Sequence, residues 1–269
     1  MDIFEELGLH RYINAQDTFT TYGASCMPAA SLRAMREIAS SCVELAEVQA
    51  KTGDALAKLT HNEGAYISNG AAGGMMVATA AALARDDEKF SIACRRSPAR
   101  GTRLLCRPPS ATCMTAAARL SAQKCAISAQ RTPLRLWKSW KQPITPATAA
   151  VFYVIFFGRD ASLPLETMVE VAHRHGVPVI VDAAAQNPPA ENLWKFTGMG
   201  ADLVIFSGGK TMRGPQDSGL IVGKKEWIDR CRRWGPQRMA SAAGARPRAN
   251  QSLGCTKPCS FISSGTKPP

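Results

Sequence analysis

Hydrophobic and polar residues follow helical and strand periods in turn along most of the chain. Residues 28–51 carry apolar side chains at spacings of three and four, which predicts an amphipathic helix. Residues 71–84 are almost wholly apolar and predict a buried helix, and the apolar, aromatic run at 149–157 predicts an interior strand. Further helices are predicted at 164–175 and 225–234, and shorter strands at 177–181, 202–206 and 219–222. Strands separated by helices predict an α/β fold with a mostly parallel sheet and helices on both faces.

Composition narrows the class of protein without naming a function. The chain has 269 residues, of which 45% are apolar, and this excludes a disordered or fibrous protein. No stretch reaches the roughly 18 apolar residues that a membrane span requires. Residues 1–14 lack the basic and then apolar order of a secretory signal. We therefore expect a cytoplasmic protein without a membrane partner.

The excess of positive over negative charge is confined to two segments. A net charge of +12 by itself suggests an anionic partner such as nucleic acid. Residues 91–143 hold 11 lysines and arginines and residues 239–269 hold 4, with no aspartate or glutamate in either segment. Neither segment keeps a helical or strand period, and so long a connection without structure is abnormal inside a domain. We divide the chain into an N-terminal arm and helix (1–57), a large domain (58–238, with 91–143 anomalous) and an anomalous tail (239–269).

Three polar clusters lie where ligands bind in parallel sheets. Small residues at 68–73 open the buried helix, and its free N–H groups favour a phosphate; a glycine-rich packing turn is an equal alternative. Asp182 ends a strand and could by itself be a cap or turn aspartate. Lys210 follows Ser207 on a glycine-rich turn and could by itself be solvated surface. No spacing predicts a metal site, and His173 is predicted to be solvated in a last helical turn.

Taken together and in this order, the clusters resemble those of fold-type I pyridoxal-phosphate enzymes. The chain resembles one branch of them, the selenocysteine synthase and D-glucosaminate-6-phosphate ammonia-lyase family. The resemblance lies within residues 12–90 and 144–238, in the segments INAQDTFTTYGAS, VPVIVDAAAQ, NLWKFTGMGADLVIFSGGK and RGPQDSGLIVG. The last two are specific. One departure is Asp17, where the family usually has glycine.

The resemblance implies a fold-type I large domain that binds pyridoxal 5'-phosphate. It implies an imine between Lys210 and the cofactor aldehyde, since only a lysine amine forms an imine that a substrate amine displaces. It implies Asp182 paired with the ring nitrogen, which lets the ring take up electrons from the substrate Cα, and Ala184 against the ring face. The remaining implied cofactor contacts are Asn69, Gly70, Ala71, Ala72, Gly73 and Ser207 around the phosphate, and Gln186. Arg213 and Gln216 are candidates for contacts to substrate or a neighbouring subunit, with surface arginine and turn glutamine as equal alternatives.

The implied function is a β-elimination of the ammonia-lyase type on a small hydroxylated amino acid such as D-glucosaminate 6-phosphate. The implied enzyme is a homodimer or higher homo-oligomer. The alternative is an enzyme like L-seryl-tRNA(Sec) selenium transferase, and only this alternative makes nucleic acid a partner. We favour the lyase because the chain begins almost directly at INAQDTFTTYG, without the N-terminal domain with which tRNA-dependent members hold RNA.

We interpret the two anomalous segments as translations of shifted reading frames. Shifted by one base, Trp137-Lys138 and Trp140-Lys141 must each encode glutamate, and residues 131–138 permit an acidic helix of the kind that the family places there. Read in the shifted frame, residues 110–116 and 238–243 can each encode a family motif. In each motif the genetic code leaves one residue no alternative. We therefore expect neither segment to pack as a native part of the domain. The shift removes the histidine-bearing strand over the cofactor ring and the small C-terminal domain, which impairs catalysis.

One alternative to the frameshift interpretation stays open, a genuine basic insertion with an unusual tail that binds RNA. Nucleic-acid modules interleave aromatic residues and keep a secondary-structure period, and residues 91–143 show neither beyond Trp137 and Trp140. For the function itself, the alternative of another class is an inactive remnant or basic binding protein.

Overall fold

A sheet of seven strands forms the centre of the chain. The computed structural model describes residues 2–86, 103–106, 124–127, 144–155 and 164–235. The strands are β1 (Gly64–Asn69), β2 (Arg103–Cys106), β3 (Lys124–Ile127), β4 (Thr148–Val154), β5 (Val179–Asp182), β6 (Leu203–Ser207) and β7 (Ser218–Gly223). Their order across the sheet is β1-β7-β6-β5-β4-β2-β3, and β7 is antiparallel to both of its neighbours while β2 to β6 pair in parallel.

Helices connect and cover these strands. They are α1 (Ile3–Leu7), α2 (Ala29–Ala39), α3 (Leu45–Leu59), α4 (Gly70–Ala84), α5 (Leu165–Arg174), α6 (Asn192–Gly198) and α7 (Lys225–Trp234), with a 3-10 turn at Thr20–Tyr22. Pro164 precedes the first residue of α5 and Gly176 follows its end with a φ of +65°, as expected for a proline start and a glycine stop. No helix among the described residues is long and apolar enough to cross a membrane.

The sheet is buried on both faces by different helices. Ile180, Leu203 and Ile205 point into a core that they share with α4 and α7. Val179, Val181 and other residues at alternating positions point into a second core that they share with α3, α5 and α6. Because successive strand residues face opposite sides, strands covered on both faces are continuously apolar. The predicted mostly parallel sheet with helices on both faces is confirmed.

The predicted helix at 28–51 is wrong as a single element. The structure has two helices there, α2 and α3, separated by residues 40–44. Ser40 ends α2, and its hydroxyl donates to the Glu37 carbonyl (2.7 Å). Serine side chains compete in this way for backbone groups, which ends a helix even where the apolar period continues. No residue of α2 is buried, so its apolar side does not face the core.

The anomalous segment 91–143 contributes two strands to the sheet. The backbone of Arg103–Cys106 pairs in parallel with β4, and Lys124–Ile127 pairs in parallel with β2. The expectation that this segment forms no part of the domain is therefore wrong for these eight residues. The physical reason is that the free edge of β4 presents unpaired N–H and C=O groups, which any extended stretch can satisfy. The rest of this segment and the tail at 239–269 lie outside the described residues.

A buried carboxylate closes the amino end of the parallel strands. Asp202 is only 2% exposed, and its side chain accepts hydrogen bonds from the Val179 N–H (2.7 Å) and Lys224 Nζ (2.6 Å). His173 Nε2 lies 2.7 Å from the same carboxylate. His173 is exposed in the last turn of α5, as predicted, and its imidazole also reaches Asp202, because a buried carboxylate needs several polar partners.

Candidate functional site

The three predicted polar clusters meet at one edge of the sheet. β4, β5 and β6 are parallel, so their carboxyl ends share an edge, and β1 ends there too because β7 is antiparallel to both β1 and β6. The registers that align the strand ends are Asn69 with Ser218, Ser207 with Gly219, Ile205 with Asp182, and Asp182 with Val154. With strands about 4.8 Å apart, the clusters span a surface of small-molecule size.

Asp182 is a buried carboxylate at the end of β5. It is 5% exposed, and its Oδ1 accepts the backbone N–H of Ala184 (3.0 Å). Burial raises the pKa of the Asp182 carboxyl above its ordinary value, while the Ala184 N–H and the positive charge of Lys210 oppose that rise. Among the described residues this carboxylate has one hydrogen-bond donor, so it can still take a cationic or N–H partner.

Lys210 lies in a tight turn directly after β6. The turn is closed by hydrogen bonds from the Gly208 N–H to the Ser218 carbonyl and from the Gly214 N–H to the Gly208 carbonyl (both 2.8 Å). A Cβ atom on Gly208 would lie 2.3 Å from Ser218 Oγ, and one on Gly209 would lie 2.4 Å from the Gln216 carbonyl oxygen. The two glycines therefore let this turn pack against the start of β7. Lys210 is half-buried, and its charge acts on the Asp182 carboxyl at the end of β5.

The start of α4 offers uncapped backbone donors. Asn69 is both the last residue of β1 and the residue before the helix, and no side chain caps this terminus. Gly70 has a φ of +65°, which glycine adopts without strain. Gly219 lies so close that a Cβ there would be 2.4 Å from Gly70 backbone atoms. The first N–H groups of α4, at Gly70 to Gly73, are thus placed at the shared edge and can bind an anion.

The remaining predicted site residues lie around this edge. Ala184 is half-buried and packs against the α4 core, and Gln186 Nε2 donates to the Ile155 carbonyl (3.2 Å). Arg213 and Gln216 are exposed on the loop between Lys210 and β7. Arg213 has a φ of +55°, and its Nε donates to the Cys26 carbonyl (2.9 Å). The Arg213 side chain therefore contacts the N-terminal arm.

Sequence reasoning missed two residues that touch the Lys210 turn. Ser25 Oγ donates to the carbonyls of Gly209 and Lys210, and Thr211 Oγ1 donates to the Asn187 carbonyl. Ser25 is the last residue of the INAQDTFTTYGAS segment, so the segment itself was the available signal. No group of three or more histidine, cysteine, aspartate or glutamate side chains among the described residues could hold a metal ion.

Comparison with known proteins gives concordant results. The family model described as L-seryl-tRNA selenium transferase matches residues 135–242. D-glucosaminate-6-phosphate ammonia lyase of Salmonella typhimurium is 31% identical over 241 residues, which are 86% of this chain and 63% of that protein. A Streptomyces 5'-C-glycyluridine monooxygenase-decarboxylase is also 31% identical, over 85% of this chain and 58% of its own length.

A solved structure extends the similarity to three dimensions. The structure of D-glucosaminate-6-phosphate ammonia-lyase matches with a TM-score of 0.80 and 28% identity, over 99% of this chain and 72% of that chain. The predicted fold-type I architecture is confirmed by this match. The chain spans about 60% of the length of the first two curated relatives.

Proposed function

We propose, for a chain that belongs to the family of D-glucosaminate-6-phosphate ammonia lyase and the L-seryl-tRNA selenium transferases, a pyridoxal-phosphate-dependent β-elimination on a hydroxylated amino acid. The observation that carries the proposal is the meeting of Asp182, the Lys210 turn and the uncapped start of α4 at one sheet edge. D-glucosaminate 6-phosphate is the proposed substrate, because a curated relative that matches 86% of this chain and a solved structure that matches 99% of it are both named for this compound.

The donor set fits pyridoxal 5'-phosphate. Asp182 would pair with the protonated ring nitrogen, which is the cationic partner that a buried carboxylate with a single N–H donor lacks. The N–H groups of residues 70–73, with the Asn69 amide and the Ser207 hydroxyl, would hold the phosphate. Ala184 is small enough to lie against a flat ring, and Gln186 supports the same loop from the Ile155 carbonyl. When bound, the cofactor supplies an electron sink for charge that develops at the substrate Cα.

Lys210 is the proposed catalytic residue. Its amine would hold the cofactor aldehyde covalently until a substrate amine takes its place, and the released Nζ would then accept the proton from the substrate Cα. The β-hydroxyl leaves with a proton as water, and later addition of water releases ammonia and a 2-keto-3-deoxy acid. Arg213 and Gln216 are proposed to contact the acidic substrate or a neighbouring subunit, since both are exposed on the loop that follows Lys210.

A homo-oligomer is part of the proposal, because the N-terminal arm leaves many apolar side chains uncovered. The large exposed ones within residues 2–44 are Ile3, Phe4, Leu7, Leu9, Tyr12, Ile13, Phe19, Tyr22, Leu32, Ile38 and Val43. So large an apolar surface is unusual for a monomer and fits a second copy of the chain. Analytical ultracentrifugation should give at least a dimer, and deletion of residues 2–13 should shift it toward monomer; a monomer at all concentrations would contradict this assignment.

We also propose that residues 91–143 and 239–269 are products of shifted reading frames. The forced glutamates, the restored acidity and the order of family motifs support this. The similarity to the ammonia lyase covers 86% of the chain, so it extends to both sides of 91–143. Sequencing the gene tests the proposal: one inserted or deleted base near each junction supports it, and an uninterrupted frame in independent clones refutes it. On this proposal the domain boundaries stay after residues 57 and 238, and the corrected reading frame would replace residues 91–143 and 239–269.

The substrate assignment predicts turnover of D-glucosaminate 6-phosphate by the frame-restored protein, with ammonia and a 2-keto acid in equal amounts. The control is the chain with its present sequence, which should bind cofactor more weakly and turn over slowly or not at all. Specific binding of seryl-tRNA without ammonia release would replace the lyase with the selenium transferase alternative. Absence of any visible cofactor absorbance in both proteins would favour the non-catalytic alternative.

A further inference from the structure

A short segment of the N-terminal arm is folded so that it presents Ser25. Asn14 Nδ2 donates to the carbonyls of Asp17 (2.8 Å) and Ala24 (3.2 Å), and Asn14 Oδ1 accepts the Gln16 N–H (2.9 Å). These bonds close residues 14–24 into a loop. Asp17 and Ala24 both have a φ of +51°, so the loop contains two left-handed residues, one of them at the position where the family usually has glycine. Ala24 is 8% exposed, and the loop therefore delivers the next residue at a defined place.

Ser25 bonds the main chain of the proposed catalytic lysine. Its hydroxyl lies 2.7 Å from the Lys210 carbonyl oxygen and 2.9 Å from that of Gly209, so one donor is shared between two successive carbonyls. The Lys210 carbonyl also accepts the Arg213 N–H (3.0 Å). Arg213 Nε returns a bond to the Cys26 carbonyl. The arm therefore donates a hydrogen bond to the turn at Lys210, and the turn donates one to the arm from Arg213.

This contact matters because the turn belongs to no helix or strand. A lysine amine sits at the end of a flexible four-carbon side chain, and its reach is defined only if the backbone at its base is fixed. Backbone hydrogen bonds hold Gly208 and Gly214 in place. The arm, through Ser25, holds the carbonyls of Gly209 and Lys210. The hydroxyl of Ser25 is the only side-chain donor in the described residues that reaches the Lys210 carbonyl.

We propose that Ser25 is a positioning residue, which holds the Gly209 and Lys210 carbonyls so that the Lys210 amine is presented at the sheet edge. This inference rests on the proposed function for the role of Lys210. Ser25 touches neither cofactor nor substrate in this proposal and acts only through the turn. The Lys210 amine is then correctly placed only when the N-terminal arm is docked against the turn.

The test compares S25A with S25T, which keeps the hydroxyl, and with S41A, which removes an exposed hydroxyl between α2 and α3. N14A is a second way to loosen the arm without altering Ser25. In the full chain without added cofactor, S25A should raise amide exchange of residues 207–214 by about five-fold, the effect of one ordinary hydrogen bond, and leave residues 179–182 unchanged. N14A should act in the same direction, and S25T and S41A should match the unsubstituted chain.

The second measurement is the rate at which Lys210 is labelled by pyridoxal 5'-phosphate and borohydride, read by peptide mass. S25A should slow this labelling by a similar factor, and S25T should restore it. If the unsubstituted chain is labelled and S25A equals S41A, the positioning role fails while the proposed function stands. Faster exchange with unchanged labelling makes Ser25 a structural contact only and overturns the proposal. The same labelling is measured on the frame-restored protein, and if that protein also forms no adduct at Lys210, the proposed function fails and the positioning role with it.

Discussion

Replacing Lys210 with arginine is expected to abolish covalent attachment of pyridoxal 5'-phosphate while the fold persists. Arginine keeps the positive charge beside Asp182, but a guanidinium forms no imine that a substrate amine can displace. After borohydride reduction, the peptide that contains residue 210 should carry the cofactor mass in the unsubstituted chain and not in K210R. Turnover by the frame-restored protein should fall by roughly 10³-fold or more, because both the covalent link and the proton acceptor are lost.

The matched control for this substitution is K195R. Lys195 is exposed on α6, so the same chemical change there should leave labelling and turnover unaltered. A reduced adduct on a different lysine in K210R would contradict the assignment of Lys210. Loss of secondary structure in K210R, seen by circular dichroism, would contradict the expectation that its effect is confined to the site.

Replacing Asp182 with asparagine is expected to have opposite effects on stability and on cofactor binding. Burial raises the pKa of the Asp182 carboxyl, so the folded chain holds this proton more tightly than the unfolded chain does. Stability of the cofactor-free protein then falls as the pH rises from the ordinary aspartate value of 3.8 through the raised pKa, and it stays reduced above that pH. Asparagine does not ionise, so D182N should be more stable than the parent at neutral pH.

Cofactor binding should weaken in the same variant. The neutral amide loses the charge-assisted partner of the ring nitrogen, which corresponds to roughly 10- to 100-fold in affinity. Thermal midpoints of both proteins without cofactor, measured over a series of pH values, should diverge as the pH rises and converge in acid. A titration with cofactor gives the affinity. D217N is the control, since Asp217 is exposed. A D182N protein that is less stable at neutral pH would show that the carboxylate is paired in the free protein and refute the reasoning.

Local signals in the chain predicted the elements around the site well. The helix at 164–175 is observed as Leu165–Arg174 because proline and glycine mark its two ends, and α7 is observed at the predicted bounds, Lys225–Trp234. The continuous apolar run near residue 150 became β4, since a strand covered on both faces needs no alternation. Asp182 and Ser207 end their strands as predicted, because polar side chains cannot continue into a dry core.

Other elements were missed because their reasons lie far away in the chain. β1 contains Gly64 and Ser68 and lacks a strand period, and it forms a strand because it pairs with β7 from Gly64 to Asn69. Gly64 faces Ile228 of α7 and leaves room for it, since a Cβ there would lie 3.0 Å from that side chain. α6 has only seven residues, too few for a helical period to appear. Local propensity is a weak signal wherever tertiary pairing determines the conformation.

The sequence by itself determined which residues are candidates for the site and that Asp182 and Ser207 end strands, since residue type and apolar runs are local properties of the chain. Only the tertiary structure decided how these residues are supported. The antiparallel β7 brings Asn69 to the same edge as Ser207, and the arm brings Ser25 to Lys210 across 185 positions. The pairing of His173 with Asp202 spans 29 positions and likewise leaves no local pattern. Such contacts depend on the packing of whole elements, and their free energy is realised only once the sheet has formed.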